Sequence, residues 1–383
     1  MHTVFPKEEL NQRLLNVRSQ MAHANVDGIV ITVPENIYYL TELDHLGFFA
    51  CHLLVVPKEG EMILVCRAME KITFENQVKN ARFFGHADNE DPADHIVSAL
   101  SELKLLNSRV GMEKNSLFLT AKLAESIQAK TPKVEWQDTS NLVSALRIVK
   151  SPLEMDYVRK AAKATDAGML AAINSIHDGA SDYEVSAECS RAMISAGSEH
   201  FAFGPFIRPT SRLGEEHTTW RGEVFRRGDA IFLEIAANYR KYQSPMGRLI
   251  YIGNAPQGVE KSVQLAIDGM KAINRSIKHG AKAGDVYAAW REVGKKGGLE
   301  NYERHHCGYV VSIGFPPSWT GGSMVTALAP NSQLELKTGM TFHTHSWFTN
   351  TDCVDYFISN TSLLTENGCE VLTCETPETL IIK

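Results

Sequence analysis

The chain has 383 residues, 44% hydrophobic and 22% charged, the profile of a soluble protein long enough for two domains with substantial cores. A formal net charge of -6 with no long basic run argues against nucleic acid as the main partner, because phosphate recognition needs clustered Lys and Arg. No stretch reaches the roughly 18 apolar residues of a membrane span, and "MHTVFPKEELNQRL" lacks the basic and then apolar pattern of a signal peptide. From Glu8 to about Ala24 the spacing predicts an amphipathic helix, after which "DGIVITVP" and "FFACHLLVVP" read as buried strands. "EMILVCRAM" and "ARFFG" follow, and the mixture predicts a small α/β domain up to about residue 150.

At "SPLEMDYVRKAAKATDAGMLAAINSI" the character changes. Ser151 is placed as N-cap, Pro152 at the first helical position and Glu154 three residues after the cap, so a long helix starts at 152. Ser181 and Glu184 repeat the device, and Gly197 supplies a stop. Strands "DAIFLEIAANY" and "RLIYIG" come next. The order then recurs, with helices from about Gly258 to Lys278 and Asp285 to Lys295, followed by "CGYVVSIGF", "GMTFHTHSWF" and "DYFISNTSLLT". A helix, helix, strand order met twice predicts a duplicated α+β domain over residues 151–383, with both helix pairs on one curved sheet. Seven scattered cysteines without a C-x-x-C pair read as buried thiols of a reducing compartment, which places the protein in the cytoplasm.

"LRIVKSPLEMDYVRKAA" and the duplicated order resemble the M24 creatinase/prolidase family, whose pita-bread catalytic domain follows a smaller α/β N-terminal domain. Metal-dependent members hold two divalent ions with two Asp, one His and two Glu. Along this chain those five positions fall on Glu234, Pro245, Tyr309, His345 and Ser359. Proline has no side-chain donor, and neutral Tyr and Ser ligate divalent ions poorly. The resemblance therefore implies the fold while withdrawing the two-metal chemistry. "EHTTWRGEVFRRGDAIFLEIAANYRKYQSPMGRLIYIG", "GYVVSIGFPPSW" and "GMTFH" are similar to the metal-independent, ectoine hydrolase-like members. Two segments depart from that pattern: "DYFISNTS" has Phe357 where a Leu-Glu-Ile step is expected, and "LTELDHLGFFACHLLVV" lacks a Tyr-Asp-Gly-Trp run.

Glu234 stands between Leu233 and Ile235, where an ionised carboxylate is costly to bury. Without metals it can be stabilised by a guanidinium or amidinium in bidentate fashion, or attack an amidine carbon; an internal ion pair with Arg240 or Arg248 is the plainer alternative. His217, in "GEEHTTW", falls at the catalytic His of creatinase-like enzymes, with a pKa suited to proton transfer; a surface-loop His beside Glu215 and Glu216 is the alternative. His343 and His345 alternate on one strand face, to contact substrate or to hold one metal with Glu234 or Asp352. Tyr309, Arg304, His305 and His306 are further substrate-contact candidates, with Arg304 or Arg248 to meet a substrate carboxylate.

The expectation is a hydrolase of a small non-peptide C–N bond in a cyclic amidine or guanidino compound, needing no cofactor. A metal-dependent Xaa-Pro peptidase or lyase, or a non-catalytic binding protein of the same fold, are the alternatives. The resemblance also implies a C2 homodimer.

Overall fold

The computed structural model describes residues 4–322, 325–349, 351 and 354–383, so Asp352 and Cys353 lie outside the described residues. Contacts divide the chain into two compact units, one mainly Met1–Arg147 and the other Ile148–Gly321 with Val325–Lys383.

The first unit is α/β. Its six-stranded sheet has the spatial order Ala81–His86, Met62–Arg67, His52–Pro57, Gly28–Ile31, Arg109–Met112 and Glu135–Asp138, with parallel and antiparallel neighbours mixed. Every residue of Gly28–Ile31 and His52–Pro57 is buried, which is why they read as continuous apolar runs rather than alternating ones. Helix Pro34–Thr41 is buried on all sides and gives no amphipathic signal.

In the second unit, Ser151 caps helix Pro152–Ser175 in a reciprocal capping box with Glu154, as the sequence predicts. Helix Asp182–Ser195 pairs with it, and Val259–Ser276 with Ala283–Lys296 form the second pair. The eight-stranded sheet runs Gly308–Val310, Thr341–Phe348, Tyr356–Thr365, Tyr242–Tyr251, Ala230–Tyr239 and Phe206–Pro209, with two short strands added at its side. Its main neighbours are all antiparallel. Strand Phe206–Pro209 has no counterpart in the sequence reading, and "CGYVVSIGF" pairs as a strand only over Gly308–Val310, with an isolated bridge at Ile313.

Period-two alternation decides what reaches the site. On Ala230–Tyr239, Ile231, Leu233 and Ile235 pack towards the first helix pair with Ala164, Met169 and Cys189. Phe232, Glu234 and Ala236 take the other face. Arg240 and Lys241 both have positive φ, 51° and 64°, making the tight two-residue turn that fixes Glu234 opposite Gly247. Gly247 in turn faces Ser359. A Cβ on Gly247 would meet Ser359 Oγ at 2.7 Å, so glycine lets the strands close here.

Candidate active site

A pocket of about 390 Å³ opens on the Glu234 face. Glu234, His217, Arg304, Tyr309, His345, His305 and His306 all line it, so the sheet gathers most of the residues singled out in the sequence. A roomier cavity, about 560 Å³, lies among residues 49–126 of the first unit, but it lacks comparable convergent titratable groups.

His343 sits behind the lining. Trp319 Nε1 donates to the Tyr309 hydroxyl at 2.7 Å, and that hydroxyl lies 2.9 Å from His343 Nδ1. Having accepted one hydrogen bond, the Tyr hydroxyl has its own O–H to donate, so His343 Nδ1 is the acceptor and Nε2–H donates to Ser359 Oγ at 2.9 Å. Burial holds His343 well below the usual imidazole range, in agreement with this neutral tautomer. Four side chains thus form one directed chain, Trp319 to Tyr309 to His343 to Ser359.

Glu234 is otherwise placed. Its Oε1 is 3.9 Å from His343 Nδ1, and no Lys or Arg of the described residues pairs with it. Burial pushes its carboxyl up to about 7 against the opposing pull of Arg208 and Arg304. The expected alternative of an internal ion pair is not what forms: Arg240 pairs with Glu199, and Arg248 points from the opposite face of the sheet. Because Glu234 faces Gly247, the next residue along necessarily turns away. The Arg248 guanidinium donates to the carbonyls of Gly247, Ser359, Thr376 and Pro377, so it does not line the pocket.

Several buried polar atoms meet no hydrogen-bond partner among the described residues. Arg304 Nε, Trp347 Nε1, His306 Nδ1 and both ring nitrogens of His345 are buried without hydrogen bonds. The Arg304 guanidinium lies 4.7 Å above the Trp347 ring. Burial holds His345 well below its ordinary range and His306 down to about 3, so both rings are neutral. His217 is exposed on a loop at the rim with a left-handed φ of 57°, beside Phe203 and Phe206.

Arg208 lines the same pocket and was not singled out by the sequence reading. The signal was the one that exposed Glu234: a lone charge in an apolar run, "FIRP", 98% buried in the fold.

The chain matches the model of metallopeptidase family M24 over residues 156–366 and that of the creatinase/prolidase N-terminal domain over residues 13–149. It belongs to family M24. It is similar to the ectoine hydrolase of Halomonas elongata, 28% identical over 99% of this chain and 98% of that protein. The Xaa-Pro dipeptidase of Pyrococcus furiosus is 24% identical over 95% of this chain and 98% of that one. Among solved structures, a prolidase from Thermococcus sibiricus has the same fold at a TM-score of 0.86, with 19% identity over 97% of this chain and 99% of its own. The pita-bread domain and its α/β N-terminal partner are therefore those of the family.

The two-ion centre of the metallopeptidases does not fit these residues. The Pro245 carbonyl accepts from Thr361, while Tyr309 and Ser359 are engaged with His343. Glu234 is the one carboxylate at the five ligand positions that the resemblance marks.

Proposed function

We propose that this M24 hydrolase acts without metal on a non-peptide C–N bond of a small cyclic amidine or guanidino compound. One observation carries the reading: Glu234 is a buried carboxylate that faces a pocket with no protein Lys or Arg within ion-pair distance among the described residues. A cationic amidinium offers two parallel N–H donors to such a group and favours its ionised form. Glu234 then holds the cation or attacks its carbon. His217, at the pocket rim, takes a proton from water and returns it to the leaving nitrogen.

The unpartnered donors support a second element of recognition. Arg304 Nε–H and Trp347 Nε1–H can only donate, and a buried donor without an acceptor costs about 1–3 kcal/mol. A substrate carboxylate against Arg304, Trp347 and His345 supplies that acceptor. Tyr309, tied to His343 behind it, lines the pocket wall.

The kinship with an ectoine hydrolase favours this reading, and the kinship with Xaa-Pro dipeptidases supplies its rival. A specific observation favours a metal reading too: ligand atoms of Glu234, His343 and His345 lie within 4.8 Å of one another. To ligate, His343 must give up Tyr309 or Ser359, and for that reason we rank it second. Asp352, the other ligand considered from sequence, lies outside the described residues.

The deciding experiment incubates the purified protein with ectoine, creatine and a Xaa-Pro dipeptide, with and without chelator, alongside elemental analysis. Chelator-resistant turnover of an amidine or guanidino substrate is expected. Dipeptide cleavage that needs added metal establishes the rival, and no turnover of any substrate points to a binding protein.

A further inference from the structure

We infer that Arg208 is a positioning residue whose buried guanidinium clamps the loop that carries His217. The inference rests on the role given to His217 above and adds the means by which that ring is held.

Arg208 projects from strand Phe206–Pro209, opposite Phe232, with its guanidinium 4.1 Å above the Phe232 ring. Its Nε donates to the Arg212 carbonyl at 3.2 Å and its Nη1 to the Thr218 carbonyl at 2.9 Å. Those two carbonyls bracket the segment 212–218, with His217 just before the second. One rigid planar group therefore ties both ends of the loop to the sheet next to Glu234. No carboxylate of the described residues lies within ion-pair distance of Arg208, and two of its five N–H donors go to the loop backbone.

A clamp is needed because the backbone at His217 is held at φ 57°. A left-handed residue other than glycine is unfavourable and persists only where its surroundings over-determine it. Arg212 supports the same loop from its outer side, through Glu215, Glu223, Thr218 Oγ1 and the Thr219 carbonyl. Arg208 alone of the two lines the pocket. Lysine is no substitute at such a place, since a single ammonium cannot present two N–H bonds in the fixed directions of a guanidinium fork.

The test compares Arg208→Lys, Arg208→Ala, His217→Asn and the Arg208→Lys/His217→Asn double variant. Arg208→Lys should lower kcat by about ten- to a hundredfold through misplacement of the ring, with KM changed much less. The double variant should be no slower than His217→Asn alone, because Arg208 acts through that imidazole. Millimolar guanidinium should restore activity to Arg208→Ala, where ammonium does not. Amide hydrogen exchange across 212–218 should quicken in Arg208→Lys while strand Ala230–Tyr239 keeps its protection, a reading that needs no substrate and also shows that the variant is folded. Multiplicative losses in the double variant, or unchanged exchange in the loop, overturn the inference. Wild-type turnover by His217→Asn removes the role of His217 itself and the inference with it. A slow His217→Asn beside a fast Arg208→Lys removes the inference alone.

Discussion

Glu234 makes the site and weakens the fold. A glutamate ordinarily titrates near 4.5, and burial holds this one at about 7. Between those values the folded chain keeps a proton that the unfolded chain releases, so stability falls as pH rises from about 4.5 to about 7; below that window both forms are protonated and the penalty disappears. At about 1.36 kcal/mol per unit the full loss is roughly 3 kcal/mol. Glu234→Gln should therefore melt at a higher temperature than the wild type at pH 8 and close to it at pH 4.5, read by scanning calorimetry; equal melting at both values would show the carboxylate to be stabilised by a partner. The same variant should lose about ten- to a hundredfold in kcat/KM on a cationic substrate, the worth of one charge-assisted contact, and more if the carboxylate attacks. His217→Asn should cost about 10² to 10⁴ in kcat. Under the proposed mechanism both groups serve one reacting carbon, so the Glu234→Gln/His217→Asn pair should be less impaired than the product of the singles, and strict multiplicativity would separate them. At this scale the sequence was partly legible. A charge inside "FLEIA" declares itself, whereas the direction of Arg248 depends on strand register, which local pattern does not reveal without the turn at Arg240 and Lys241.

Strand Thr341–Phe348 shows how an element sorts chemistry by parity. Phe342, Thr344 and Phe348 turn to the second helix pair, where Phe348 stacks on Trp290 and Thr344 approaches Met270. His343, His345 and Trp347 turn to the pocket side. That division follows from the sequence, since alternation needs only the existence of the strand. The partners of His343 do not, because Trp319, Tyr309 and Ser359 come from segments brought together by the sheet. Tyr309→Phe should leave Trp319 Nε1 and His343 Nδ1 both unpartnered and cost about 2–4 kcal/mol in denaturant unfolding, against about 1–3 kcal/mol for Ser359→Ala. A loss under half a kcal/mol in both would mean that the chain of bonds carries no structural weight.

Across the whole molecule, the duplicated helix pairs of the second unit were readable from their caps and period. The helices Pro34–Thr41, Pro92–Glu102 and Ala121–Lys130 are absent from the sequence expectation; the first is buried all round, while Asp91 and Thr120 cap the other two. No helix of the described residues is long and apolar enough to cross a membrane. The first unit exposes Leu46, Phe49, Met69, Ile72 and Leu117, with Phe49 76% open. The C2 homodimer implied by the family resemblance is the expectation to test at this scale, and these side chains are where to probe it. Sedimentation at micromolar concentration should return twice the 42.5 kDa of one chain, and Phe49→Glu with Ile72→Glu should shift it towards one; a wild-type monomer would dispose of the expectation.

The directed chain through His343 also bears on conversion of the site. Introducing a carboxylate at Ser359, a first step towards the metallopeptidase ligand set, keeps an acceptor for His343 Nε2 but buries a charge at a fully buried position before any ion has ligands enough to bind. A histidine at Tyr309 removes the hydroxyl that links Trp319 Nε1 to His343 Nδ1, and Pro245 has no side-chain ligand atom. A laboratory search for a two-ion centre in this chain must therefore change Pro245, Tyr309 and Ser359 together.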